Sequence, residues 1–201
     1  MFYVRTKPLA YISLFTALTV VGAYIKIPIP YIPFTLQIVP VYLAGALLGP
    51  RIGMLSQICY VTIGLIGVPV FAEGGGFGYI FKPTFGYLLG YIAGAALNGY
   101  LIQKLQLQKI FSIFLANAAT LSVVYLFGCV WLYGSMKWII EKPLSIQDTL
   151  FFGMILPIPG DLLLCVICSV LIYRLKPQIR RFILDPRVTQ PTENKQKTNY
   201  L

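Results

Sequence analysis

Of the 201 residues, 58% are hydrophobic and 11% are charged, with a mean hydropathy of +0.78; an ordinary soluble domain carries about 25% charge, so a water-solvated globule is excluded. A bilayer core of about 30 Å takes roughly 20 apolar helical residues to cross, which leaves room for about six crossings and no soluble appendage. The net charge of +10 lies in short gaps between apolar runs and in the C-terminal tail, a pattern suited to anionic lipid and not to nucleic acid.

Apolar runs and their punctuation predict helical spans over 9–27, 36–49, 52–68, 83–102, 110–133 and 149–173. The first has the length of a span and no small-residue cleavage site before a polar segment, so no removable signal peptide is expected. The connection after it, Pro28 to Gln37, holds Pro28, Pro30 and Pro33 among apolar side chains, which favours a stiff extended lid. The second and third spans meet at Gly49-Pro50-Arg51, as in a tight helical hairpin. Between the third and fourth, FAEGGGFGYIFK over 71–82 combines glycines that bend sharply with Phe77, Tyr79 and Phe81 as stacking faces.

The fourth span carries small residues every four positions at Gly86, Gly90 and Gly94. Gly45 and Gly49, and Ser13 and Ala17, repeat that spacing. Such stripes let helices approach closely, either inside the bundle or against another membrane protein. Asn98 and Asn117 are the strongly polar residues inside spans; Asn98 is expected to bond another helix, whereas packing and ligand contact stay open for Asn117.

The last span is interrupted by Pro157-Ile158-Pro159-Gly160, directly followed by Asp161. A new half-helix is expected to start near Pro159, with its positive dipole end beside the carboxylate. Broken helices at membrane depth are tolerated where they line a cavity, and they mark transporter binding sites. Asp161 is the one acidic residue within a predicted span, and a carboxylate there costs a few kcal/mol even on the lenient insertion scale. It should therefore face a cavity or a partner, with helix capping as a compatible second role.

Lysines and arginines set the expected orientation. Twelve fall in the N-terminus, the second and fourth connections and the tail, against Lys26, Lys82, Lys137 and Lys142 in the others. Both termini should then lie in the cytoplasm, with residues 1–174 as the membrane domain and 175–201 as a basic cytoplasmic tail. Cys59, Cys129, Cys165 and Cys168 all sit in apolar runs and no histidine exists, so a disulfide framework, a metal site or a cofactor is not expected. The sequence has no GxxxxGK[ST] phosphate loop, HExxH or GxSxG, which argues against an ATPase or hydrolase.

Several ordered segments, IPFTLQ at 32–37, LLGP at 47–50, IGVPVF at 66–71, the glycine loop followed by KPTFGYLLG at 82–90, and Pro159-Gly160-Asp161, together resemble the BioY family across residues 10–175. That resemblance implies a six-helix S-component fold with outer lid loops, in a prokaryotic cytoplasmic membrane. It also implies a biotin pocket near the outer face and a partner module of a transmembrane scaffold with two ATPases. Ser13 and Ala17 stand where the family has an AxxxA-type scaffold surface. Where the family commonly has a lysine three residues after the aspartate, this chain has Leu164.

For biotin, Asp161 would accept from the ureido N–H groups, Phe34, Phe77 and Tyr79 would cover the apolar ring, and Lys82 would attract the tail carboxylate. Thr35, Gln37, Gly75, Gly76 and Asn117 complete the expected site. The alternatives are an S component for another small vitamin and a stand-alone secondary carrier in which Asp161 takes a coupling proton.

Overall fold

A computed structural model describes residues 6–184. Helix α1 covers Thr6–Tyr24 and ends three residues before the predicted boundary at Ile27. The residues beyond it form a two-stranded antiparallel pair, β1 (Lys26–Ile27) and β2 (Phe34–Thr35), with Lys26 opposite Thr35 and Ile27 opposite Phe34. The proline-rich segment between them is the turn of this hairpin. Helices α2 (Ile38–Leu48) and α3 (Pro50–Leu65) follow, then a 3₁₀ turn at Phe77–Phe81 inside the glycine loop. Helix α4 (Phe85–Gly99) continues as a π turn at Tyr100–Lys104, and α5 covers Ile110–Trp138. The last span comprises α6 (Ile146–Leu150), a π turn at Phe151–Ile155 and α7 (Ile158–Leu184).

The six helical segments occur in the expected order, but they are not equal in reach. Among the described residues three stretches, Phe85–Lys104, Ile110–Trp138 and Ile146–Gln178, are long and apolar enough to cross a bilayer. The predicted second span is shorter, an α2 of 11 residues that rises only about 17 Å. Its surroundings give the reason: Val41, Tyr42, Ala44 and Ala46 are fully buried, and α2 packs on α1, α3, α4 and α7. A short apolar helix enclosed by protein belongs to the core of a bundle and need not match lipid thickness. At the other end, α7 runs past the expected limit at Tyr173 to Leu184, taking in the start of the predicted tail. Arg5, Arg187, Lys195 and Lys197 of the charge count lie outside the described residues.

The α2–α3 hairpin turns on Gly49, whose φ of +92° suits glycine, with Pro50 at the first position of α3. The fourth-span stripe serves packing. A Cβ on Gly86 would sit 2.2 Å from Cβ of Trp131, and one on Gly90 or Gly94 would press on Val124 or Thr120 of α5. Deeper in the bundle, Nδ2 of Asn98 donates to Asn117 Oδ1 at 2.8 Å and to Thr120 at 3.2 Å. Asn117 Nδ2 in turn donates to Ser169 at 3.0 Å. This cluster joins α4, α5 and α7 at the level where Cys165 and Cys168 are buried as free thiols. Ser13 and Ala17 face outward on α1, between exposed Leu14, Leu18 and Val21. The opposite face of α1 buries Phe15, Thr16, Thr19 and Ala23.

Candidate functional site

A cavity opens between the β1–β2 connection, the glycine loop, the first turns of α4 and α7 and the middle of α5. Pro33, Phe34 and Thr35 form one wall, Ala72 and Tyr79 another. Tyr87, Leu88 and Tyr91 reach it from α4, and Leu121, Val124 and Tyr125 from α5. In each helix these residues fall at i, i+3 or i+4 spacing, which places them on one face. Pro157 and Asp161 complete the wall, at the break in the last span.

Asp161 is the one charged residue in that wall. It is 9% exposed, in the first turn of α7, where the positive end of the helix dipole favours a carboxylate. The helix starts at Ile158, close to the expected restart, because Pro157 and Pro159 lack the N–H groups that would continue it. Tyr125 donates to Asp161 Oδ2 at 2.5 Å; no other side-chain hydrogen bond to this carboxylate is seen among the described residues. Next to it, the ring of Phe34 lies so close to Gly160 that a Cβ there would be 2.7 Å from the ring. Gly160 thereby admits the first connection down onto the start of α7.

A polar chain ties the first and third connections together. Thr35 Oγ1 donates to Gln37 Oε1 at 2.9 Å, Gln37 Nε2 to Tyr60 at 2.7 Å, and Tyr60 to the Val70 carbonyl at 3.0 Å. Tyr24 donates to the Pro69 carbonyl, and Lys26 Nζ to the Ala72 carbonyl at 2.5 Å. Thr84 donates to Tyr79 at 3.1 Å. Burial pushes the Tyr79 phenol up to about 12, so it stands neutral at the cavity wall.

Of the residues singled out from sequence, Asp161, Phe34, Thr35, Gln37 and Tyr79 meet at the cavity. Gly75, Gly76, Phe77, Lys82 and Asn117 do not line it. Phe77 is 70% exposed and turned away. Gly75 and Gly76 pack against the end of α3, where Gly76 N–H donates to the Gly64 carbonyl at 2.7 Å and a Cβ on Gly75 would lie 2.2 Å from the Val68 carbonyl. Lys82 sits outside Tyr79, paired with Glu73 at 3.3 Å. Asn117 is consumed by its cluster with Asn98 and Ser169. Leu164 is half-buried against the core and is not a wall residue. Among the described residues no three acidic, cysteine or histidine side chains gather as a metal site would require.

Sequence reasoning missed Tyr87, Tyr91, Tyr125 and Thr84. The available signal was three tyrosines within predicted spans, since a phenol at membrane depth needs a partner for its hydroxyl.

The BioY family model matches residues 1–181. The chain belongs to the BioY family. A relative from Lysinibacillus sphaericus, named "Probable biotin transporter BioY", is 41% identical over 170 residues, covering 85% of this chain and 87% of the relative. The "Biotin transporter BioY" of Thermotoga maritima is 37% identical, over 82% of this chain and 92% of its own length. A crystal structure of the S-component for biotin from an ECF-type ABC transporter superposes with a TM-score of 0.76 at 27% identity, covering 87% of this chain and 93% of that one. This BioY-family chain is thus a membrane transport protein with the S-component fold.

Proposed function

We propose that this chain is the biotin-binding S component of an energy-coupling factor uptake transporter. It takes biotin at the outer face of a prokaryotic cytoplasmic membrane, with both termini inside, and delivers it inward with a transmembrane scaffold and two ATPase subunits. The observation that carries this reading is a lone carboxylate, Asp161, on the wall of an otherwise aromatic and apolar cavity roofed by two tied connections. The names of the relatives and of the structural neighbour support biotin as the ligand.

The chemistry fits part by part. A ureido ring offers two neutral N–H donors, and a carboxylate held by one phenol retains lone pairs to accept them. Hydrogen bonds to a charged group contribute about 1.5–3 kcal/mol each. Phe34 and Tyr79 offer apolar cover for the sulfur-containing ring, and Thr35 offers a hydroxyl beside it.

Titration of the detergent-solubilised chain with biotin tests the reading. Asp161→Ala, checked for normal insertion, is expected to lose at least about tenfold in affinity; unchanged affinity removes the ureido assignment. Uptake in vesicles lacking ATP, driven by a pH gradient, would instead mark a secondary carrier.

A further inference from the structure

On the biotin reading above, the ligand's tail carboxylate calls for a cation, yet no lysine or arginine among the described residues belongs to the cavity wall. Two lysines touch residues of that wall, Lys26 at Ala72 and Lys82 at Tyr79, and their charges are not equivalent. Lys82 Nζ lies 3.3 Å from Glu73 Oε2 and 2.9 Å from the Glu73 carbonyl, and 5.0 Å from the centre of the Tyr79 ring. Its charge is already matched, in the only ion pair among the described residues. Lys26 has no anionic partner there. Its Nζ donates to the neutral Ala72 carbonyl at 2.5 Å, which leaves two N–H donors and a full unit charge.

The position of Lys26 is fixed from two sides. Its backbone pairs opposite Thr35 across the β1–β2 ladder, and its side chain ends on Ala72. Thr35 and Ala72 are both wall residues. The ammonium is therefore held beside two residues of the cavity wall, outside the wall itself.

We propose that Lys26 is the residue that reads the carboxylate of the ligand. A carboxylate arriving at Lys82 would meet Glu73, a like charge, whereas at Lys26 it replaces or shares a neutral carbonyl. The polarity agrees with Asp161, which repels an anionic tail and accepts from a donor head. Biotin then lies with its ureido ring inward and its carboxylate outward.

The test compares biotin with biotinamide, in which the tail is a neutral amide, by isothermal titration of the full detergent-solubilised chain. The wild type is expected to bind biotin about tenfold more tightly than biotinamide, the gain from a charge-assisted bond at a partly solvated site. Lys26→Gln should weaken biotin until the two ligands agree within about twofold, with biotinamide unchanged. Lys82→Gln and Lys26→Arg should keep the preference. A preference that survives Lys26→Gln, one that Lys82→Gln removes instead, or a wild type that does not discriminate, overturns the assignment. Equal loss of both ligands in Lys26→Gln also overturns it, because Lys26 would then act through the fold. A wild type that binds neither ligand overturns the biotin reading itself, and this assignment with it.

Discussion

Tyr125 on α5 donates to Oδ2 of Asp161 on α7 at 2.5 Å, joining two helices at the floor of the cavity. The bond also orients the carboxylate, leaving its other oxygen for a ligand. Tyr125→Phe keeps the ring and removes the donor, at an expected cost of about 1.5–3 kcal/mol for a bond to a charged group. Biotin affinity should fall about tenfold, and the unfolding midpoint in detergent should drop. Wild-type values for both would show that the bond neither holds the helices nor prepares the carboxylate.

Gly160 and Phe34 give a second prediction. A methyl on Gly160 would stand 2.7 Å from the Phe34 ring, so the ring or the start of α7 must shift. Gly160→Ala should cost about 1–3 kcal/mol by overpacking and displace the ring from the cavity. Phe34→Leu alone should cost less than Gly160→Ala, and adding it to Gly160→Ala should recover much of the lost stability. A thermal-melt series over the four proteins of this cycle reads the coupling directly; strictly additive losses would contradict the contact.

What the sequence disclosed was governed by locality. The proline break, the Gly49-Pro50 turn and the glycine stripe of α4 are determined by residues adjacent in the chain, and all three appear where expected. The second run, 36–49, already reads as short, and α2 covers Ile38–Leu48; its enclosure was not legible, because an apolar run enclosed by other helices reads the same as one enclosed by lipid. The site divided along the same line. Asp161, Phe34 and Thr35 come from segments whose local irregularity marks them, and they converge. Tyr125 and Tyr91 sit in unbroken helices, where only the bundle's packing decides which face meets the cavity. Lys82 and Phe77 have the right chemistry in the right loop, but the loop turns Phe77 outward and pairs Lys82 with Glu73. Lys26 lies at the predicted end of the first span, and only the strand pairing after Tyr24 sets it opposite Thr35 of the cavity wall.

The Asn98–Asn117–Ser169 cluster should contribute to stability and not to binding. Asn117→Ala removes bonds to Asn98 and Ser169 and leaves buried polar groups unpaired. Interhelical bonds of this kind in membrane bundles contribute about 0.6–2 kcal/mol, and stranding partners adds to that loss. The variant should melt lower while titrating with biotin as the wild type does. A selective loss of affinity without a loss of stability would place Asn117 at the ligand after all.

The outward face of α1 allows the transport half of the proposal to be tested apart from the binding half. Ser13 and Ala17 are exposed, and they form a shallow small-residue track between Leu14, Leu18 and Val21, a shape that admits another helix closely. In lipid alone such a track carries little advantage, since larger apolar side chains would be equally well solvated there. Ala17→Trp fills the track without touching the cavity, whose walls come from other elements. Biotin titration should therefore remain within about twofold of the wild type. Uptake by cells expressing the energising module should fall, and the scaffold subunit should no longer copurify. If Ala17→Trp supports normal uptake, the scaffold docks on another face; if it abolishes binding, α1 is coupled to the cavity in a way that its packing on α2 and α3 does not explain.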